Sequence, residues 1–131
     1  MTAKALIVED EILVALDLEN ALSEIGIDVV GIAPDRATAL ELAQRNPVDF
    51  ALVDVNLRDG QTGPSIGRAL AMEHGAKVIF VTANPAQLGD GVEGAIGVMC
   101  KPFSEASISA TVEFLSQRRD PPRELKLFAS A

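Results

Sequence analysis

The sequence predicts an α/β domain with a parallel sheet that is covered by helices on both faces. Short apolar runs, which indicate buried strands, alternate along the chain with segments whose apolar residues recur at helical spacing. Polar side chains follow several of these runs at their carboxyl ends, where open α/β sheets place their functional sites. We therefore expect one rim of the sheet to carry the chemistry of this protein.

Length and composition limit the possible classes. The 131 residues suit one domain, and a hydrophobic content of 48% is enough for a core. We find no apolar run near the ~20 residues of a membrane helix and no signal peptide before the first strand pattern. A net charge of −8 disfavours direct binding to nucleic acid or anionic lipid. The single cysteine, Cys100, excludes an internal disulfide, suits a cytoplasmic protein and is expected to be buried.

The first half of the chain supplies three strands and two helices. The strands are expected at residues 5–8, 29–32 and 50–54. The first helix pattern covers residues 14–25, and Gly26 follows as its C-cap. The second helix opens at Asp35 and stops before Asn46, because Pro47 restricts the residue that precedes it.

The second half adds two more strands, at residues 78–81 and 97–100. Pro64 suits the first turn of a helix that ends near Gly75, and Ser104 caps the last helix. One proline and three glycines lie between Thr82 and the last strand, so we expect an irregular or shortened fourth helix there.

The polar residues at the strand ends form four motifs. They are Val8-Glu9-Asp10-Glu11, Asp54-Val55-Asn56-Leu57 with Asp59-Gly60 and Gly63, Val81-Thr82-Ala83, and Lys101-Pro102-Phe103. In this order and on these strand ends, they resemble the receiver domain of two-component response regulators, over about residues 4 to 118. The resemblance implies a flavodoxin-like, doubly wound sheet of five parallel strands in the order 2-1-3-4-5. Residues 1–119 would be the receiver domain and residues 120–131 a short tail.

The resemblance also implies a phosphoryl-accepting site. Asp54 would be the nucleophile, Lys101 would neutralise a phosphoryl oxygen, and Thr82 would donate a hydrogen bond to another. Crowded acids require a cation, and Mg²⁺ favours oxygen ligands. Its ligands would be Glu9, Asp10, Asp54 and the backbone carbonyl of Asn56. Receiver domains of this kind usually have a cis peptide bond at the position of Lys101-Pro102, so we expect a cis bond there.

The same resemblance implies a phosphoprotein of a phosphorelay rather than an enzyme with its own substrate. A sensor histidine kinase or phosphotransfer protein would supply the phosphoryl group. A stand-alone, cytoplasmic, monomeric or weakly dimeric regulator would then signal through a protein partner or act as a phosphate sink. Val98 occupies a position that is commonly aromatic in the family, so rotation of an aromatic ring cannot report phosphorylation here.

Two alternative functions use the same residue types. A phosphatase of the haloacid dehalogenase type also combines Asp, Thr, Lys and Mg²⁺, but it needs an Asp where this chain has Asn56. A degenerate receiver that only binds proteins would not need to retain all of the site residues. A third pattern, G-x-G-x-x-G at residues 89–94, leads into a strand rather than a helix, which disfavours dinucleotide binding.

Overall fold

The computed structural model describes residues 2–129 of the chain. They form four α-helices, which are α1 (Ile12–Glu24), α2 (Arg36–Arg45), α3 (Gly63–His74) and α4 (Glu105–Leu115). They also form six strands, which are β1 (Lys4–Val8), β2 (Asp28–Ala33), β3 (Phe50–Val53), β4 (Lys77–Thr82), β5 (Gly97–Cys100) and β6 (Leu125–Leu127). A short 3₁₀ helix covers Pro85–Leu88.

The strands form one sheet in the order β2-β1-β3-β4-β5-β6. The first five strands of that order are parallel to their neighbours, which confirms the predicted parallel sheet and the order 2-1-3-4-5. A sixth strand was not predicted. This strand, β6, pairs antiparallel with β5 and lies in the segment that was predicted to be only a tail. A run of three residues gives too little alternation to predict a strand.

Local signals set the helix ends as expected. Gly26 has a φ of 81° and its amide bonds to the carbonyl of Ser23, so it terminates α1 in the left-handed conformation. The Asp35 carboxylate accepts from the amide of Thr38 at 2.9 Å and caps α2. The Ser104 hydroxyl accepts from the amide of Ser107 at 3.0 Å and caps α4.

The interval between β4 and β5 contains the 3₁₀ helix and turns, which confirms the prediction of an irregular fourth helix. Its three glycines, Gly89, Gly91 and Gly94, have positive φ values of 53°, 124° and 85°. A side chain at these positions would be strained, so glycine permits the turns that replace a regular helix here.

The core lies on both faces of the sheet. On one face α1 and α4 cover an apolar cluster that includes Leu18, Leu22 and Ile108, and on the other α3 covers a cluster that includes Ile66 and Phe80. Within residues 2–129, no helix combines the length and apolar character needed to cross a membrane.

The expectation for Cys100 was wrong. It is the last residue of β5 and the exposed one in that strand. An apolar run in a sequence does not show at which residue the packing of other elements over a strand ends and solvent exposure begins.

Candidate functional site

Four polar residues gather at the rim formed by the carboxyl ends of the strands. Glu9 follows β1, Asp54 follows β3, Thr82 ends β4 and Lys101 follows β5. The sheet's hydrogen bonds continue to these residues, since the amide of Asp54 donates to the carbonyl of Val8 at 2.9 Å and the amide of Lys101 to that of Thr82 at 2.9 Å. The residues are therefore held by the sheet itself.

Lys101 links the two buried acids of this rim. Its Nζ donates to Glu9 Oε1 at 2.7 Å and to Asp54 Oδ2 at 2.9 Å. The second oxygen of each carboxylate accepts from a backbone amide, that of Glu11 at 3.1 Å for Glu9 and that of Val55 at 2.7 Å for Asp54. Each carboxylate is thus oriented by one amide and by the shared ammonium group.

The protonation of this group follows from burial and pairing. Burial raises the pKa of Glu9, against the opposing effect of the hydrogen bond from Lys101. Burial alone would lower the pKa of Lys101, but its hydrogen bonds to Glu9 and Asp54 outweigh that effect and raise the pKa above its usual value. Lys101 therefore carries its positive charge at neutral pH, next to the carboxylate of Asp54.

Three carboxylates of the rim meet the requirements of a hard cation. Glu9, Asp10 and Asp54 each offer an oxygen, and these oxygens lie within 4.8 Å of one another. Glu9 and Asp54 are buried, whereas Asp10 is exposed and opens the cluster to solvent. An all-oxygen donor set with one solvent-facing side suits Mg²⁺, which keeps several of its waters. Three of the four predicted ligands are therefore together.

The fourth predicted ligand, Asn56, makes a side-chain contact that the sequence did not predict. Its side-chain Nδ2 donates to Gln87 Oε1 at 2.8 Å, which joins the loop after β3 to the 3₁₀ helix. The role of the Asn56 carbonyl as a metal ligand remains a prediction. We know of no signal in the sequence that would have paired two polar residues separated by 31 positions.

Thr82 is fully buried at the end of β4. Its hydroxyl oxygen accepts from the amide of Asn84 at 3.1 Å, and an accepting hydroxyl retains its own proton for donation. This contact connects the predicted phosphoryl-binding residue to the start of the irregular interval. Donation by Thr82 to a phosphoryl oxygen remains a prediction. The predicted cis peptide bond between Lys101 and Pro102 is confirmed.

These features agree with the comparison to known families. A family described as "Response regulator receiver domain" matches residues 5–113. The chain belongs to this family. The receiver-domain resemblance drawn from the four motifs is therefore confirmed, together with the α/β receiver fold that it implied.

Two regulators illustrate the sequence relatives of this receiver domain. It is 35% identical over 115 residues to the phyllosphere-induced regulator PhyR of Methylorubrum extorquens, covering 86% of this chain and 43% of the relative. It is 34% identical over 122 residues to the transcriptional regulatory protein PdtaR of Mycobacterium tuberculosis, covering 88% and 57%. The chain thus spans about half the length of these curated relatives.

Solved structures of receiver domains have the same fold as this chain. The receiver domain of Erythrobacter litoralis PhyR, determined by NMR in solution, superposes with a TM-score of 0.81 at 30% identity and covers 92% of this chain and 95% of that one. A CheY-like receiver domain from Methylobacillus flagellatus superposes with a TM-score of 0.76 at 26% identity, covering 88% and 99%.

Proposed function

We propose that this receiver domain accepts a phosphoryl group on Asp54 from a phosphohistidine of a sensor histidine kinase or phosphotransfer protein. The observation that carries the proposal is the contact of Asp54 Oδ2 with the Lys101 ammonium at 2.9 Å, within a cluster of oxygen donors. In the transfer, a carboxylate oxygen of Asp54 forms a bond to phosphorus while the bond between phosphorus and the donor imidazole breaks.

Lys101 and Thr82 take separate roles in this proposal. The Lys101 ammonium is positioned in advance by two carboxylates, so it offers positive charge to a phosphoryl oxygen without a large rearrangement. Thr82, one strand away, donates its hydroxyl proton to another phosphoryl oxygen. Such pre-positioned donors stabilise the charge that develops during transfer.

Glu9, Asp10, Asp54 and the Asn56 carbonyl would hold the Mg²⁺ ion. When bound, the ion supplies positive charge that offsets the negative charge of the phosphoryl oxygens and of the clustered acids. Asp10 suits this role because its carboxylate is exposed and accessible to an incoming ion.

A patch of apolar side chains beside the site supports a protein as the phosphoryl donor. Ile12, Leu13 and Leu16 are 61%, 75% and 45% exposed in the first turns of α1, directly after the acidic motif. Large apolar groups that cluster on a surface indicate an interaction site. We infer that the donor protein docks on this patch, which places its phosphohistidine next to Asp54.

The output of the domain is proposed to pass through protein contacts or a phosphate sink. The relatives PhyR and PdtaR are named as regulators, and we infer that the chemistry here is confined to the domain's own phosphorylation and dephosphorylation. Val98 is not aromatic, which excludes rotation of an aromatic ring at this position. We infer that the response passes through the segment between β4 and β5, which Thr82 and Gln87 connect to the site.

A phosphorylation assay tests the proposal. The protein is incubated with acetyl phosphate and Mg²⁺, and its intact mass is measured for wild type, Asp54→Ala and the exposed control Asp90→Ala. We expect one added phosphoryl group in wild type and in Asp90→Ala, and none in Asp54→Ala. Label that persists in Asp54→Ala would refute the assignment. Repeated turnover of a small phosphomonoester would favour a phosphatase, and no label in wild type would favour a degenerate receiver.

A further inference from the structure

The segment after α4 returns to the sheet and wraps around its edge. Leu125 of β6 is buried in the apolar cluster on the α1 and α4 side, whereas Phe128 packs against the cluster on the opposite side. The ring centroid of Phe128 lies 6.2 Å from that of Phe80, and the Phe128 amide donates to the carbonyl of Ile96 at 2.9 Å. We call residues 125–128 the strap.

Two glycines shape the surface that receives the strap. A β-carbon at Gly91 would lie 2.7 Å from the Phe128 ring, and one at Gly97 would overlap the carbonyl oxygen of Lys126. Gly97 also pairs with Leu127 in the sheet. Any side chain at either glycine would displace the strap. The groove between β5 and residues 91–96 is therefore complementary in shape to an extended segment with an aromatic anchor.

Both walls of this groove are connected to the predicted phosphorylation site, along the chain and through hydrogen bonds. One wall is β5, and the residue that follows it is Lys101, which contacts Asp54. The other wall continues from Thr82 through the 3₁₀ helix, and Gln87 in that helix bonds to Asn56. A rearrangement of Thr82 or Asn56 around a phosphoryl group would shift the wall that contacts Phe128.

The strap is held weakly enough to respond. It pairs with β5 over only three residues, Leu127 is 43% exposed, and Phe128 is only partly buried. Although Leu125 is buried, a three-residue strand at the edge of a sheet opens locally at a free energy below that of global unfolding. A modest difference in fit between two states of residues 83–96 is therefore sufficient to release it.

We propose that the groove between β5 and residues 91–96 is a docking groove for an extended apolar segment, occupied in the unphosphorylated protein by the strap. Loading of Asp54, by which we mean its phosphorylation or the binding of a phosphoryl mimic, reshapes the groove and loosens the strap. This inference rests on the proposed function, since it takes Asp54 as the group that is modified. Thermodynamic linkage then requires the reverse effect, in which a weakened strap favours loading of Asp54.

Hydrogen exchange on the full chain provides the first test. Beryllofluoride with Mg²⁺ serves as the phosphoryl mimic, and exchange of the amides of residues 125–128 is followed with and without it, with α2, at the opposite end of the sheet, as the internal reference. We expect exchange of the strap to become about fivefold faster or more, while exchange in α2 stays unchanged. Unchanged or slower exchange of the strap would overturn the inference.

The reverse effect gives the second test. Phe128→Ala removes the aromatic anchor and is expected to bind beryllofluoride about fivefold more tightly or better. Leu42→Ala, which removes a partly buried apolar side chain elsewhere against the same cluster, controls for general destabilisation and should bind like wild type. Phe128→Leu, which still fills the groove, should bind beryllofluoride with an affinity between those of Phe128→Ala and wild type. Equal affinities for Phe128→Ala and wild type would overturn the inference.

The amides of Val55 and Lys101 separate failure of the inference from failure of the proposed function. Their NMR chemical shifts are recorded with and without beryllofluoride. If these shifts do not change, the proposed function fails and regulation of the strap fails with it. If these shifts change while strap exchange and the Phe128→Ala affinity do not, the proposed function stands and the strap inference alone is wrong.

Discussion

The backbone of Asp54 lies so close to Gly63 that a β-carbon at Gly63 would overlap the Asp54 carbonyl oxygen. The amide of Gly63 also donates to the carbonyl of Val55 at 3.0 Å, so the start of α3 packs directly on the residues of the proposed site. This contact restricts position 63 to glycine by space, at a point where the loop after β3 returns to the sheet.

Substitution at this contact should therefore be costly. We expect Gly63→Ala to destabilise the fold by about 1–3 kcal/mol, because the new methyl group must push α3 away from the Asp54 backbone. Urea unfolding at neutral pH measures the effect. Gln61→Ala, an exposed change in the same loop, is the control and should stay close to wild type. Equal stability of the Gly63→Ala variant and wild type would contradict the close packing described here.

Magnesium should stabilise the domain through the acidic cluster. A ligand that binds the folded state at a hundredfold excess over its Kd contributes about 2.7 kcal/mol, which thermal unfolding detects as a raised Tm. Asp10→Asn should weaken this response because it removes one of the three clustered carboxylates. Asp17→Asn, an exposed acid on α1, should retain it. An equal Mg²⁺ response in Asp10→Asn and wild type would exclude Asp10 as a ligand.

The irregular interval should change its order when the site is loaded. Gly89, Gly91 and Gly94 give this segment many conformations, and Thr82 and Gln87 connect it to the site. We expect beryllofluoride to slow amide exchange over residues 84–97, opposite in sign to its expected effect on the strap. Slow exchange in both states, with no change on loading, would show that the interval is a rigid scaffold.

The cap of α2 should give a pH dependence that is independent of the site. The hydrogen bonds from Thr38 lower the pKa of Asp35 below its ordinary value of 3.8. The stabilisation from Asp35 is thus fully present above that ordinary value and is lost as the pH falls through the lowered one. Asparagine also caps helices but does not titrate. The stability of Asp35→Asn relative to wild type should therefore increase as the pH falls into the acid range.

Urea unfolding across that range provides the measurement for the cap. Asp35→Ala, which cannot cap, should be less stable than Asp35→Asn at every pH. A stability difference between wild type and Asp35→Asn that stays constant from neutral pH into acid would show that the carboxylate of Asp35 does not contribute through its charge.

The features that the sequence predicted well are those set by neighbouring residues or by strand ends. Gly26 and Ser104 mark helix ends through local chemistry, so their roles could be assigned directly. Glu9 and Asp54 could be placed together because the ends of adjacent parallel strands meet at one rim. Such arguments need only the order of the elements.

The features that the sequence did not predict depend on contacts between distant segments. β6 is three residues long and is a strand only because β5 offers it an edge. The bond between Asn56 and Gln87 joins two polar side chains with no periodic pattern. The exposure of Cys100 depends on where the cover of β5 ends, which an apolar run does not reveal.

The strand order has a consequence for the nascent chain. β1 lies between β2 and β3, and each strand after β3 adds to the same growing edge. Lys101 lies 47 residues after Asp54, so at about 5–20 residues per second it leaves the ribosome about 2–9 s later. During that time Glu9 and Asp54 have no ammonium partner, so their mutual repulsion is offset only by solvent and by any bound cation. The two ion pairs that join Lys101 to these acids therefore form only after β5 has been synthesised.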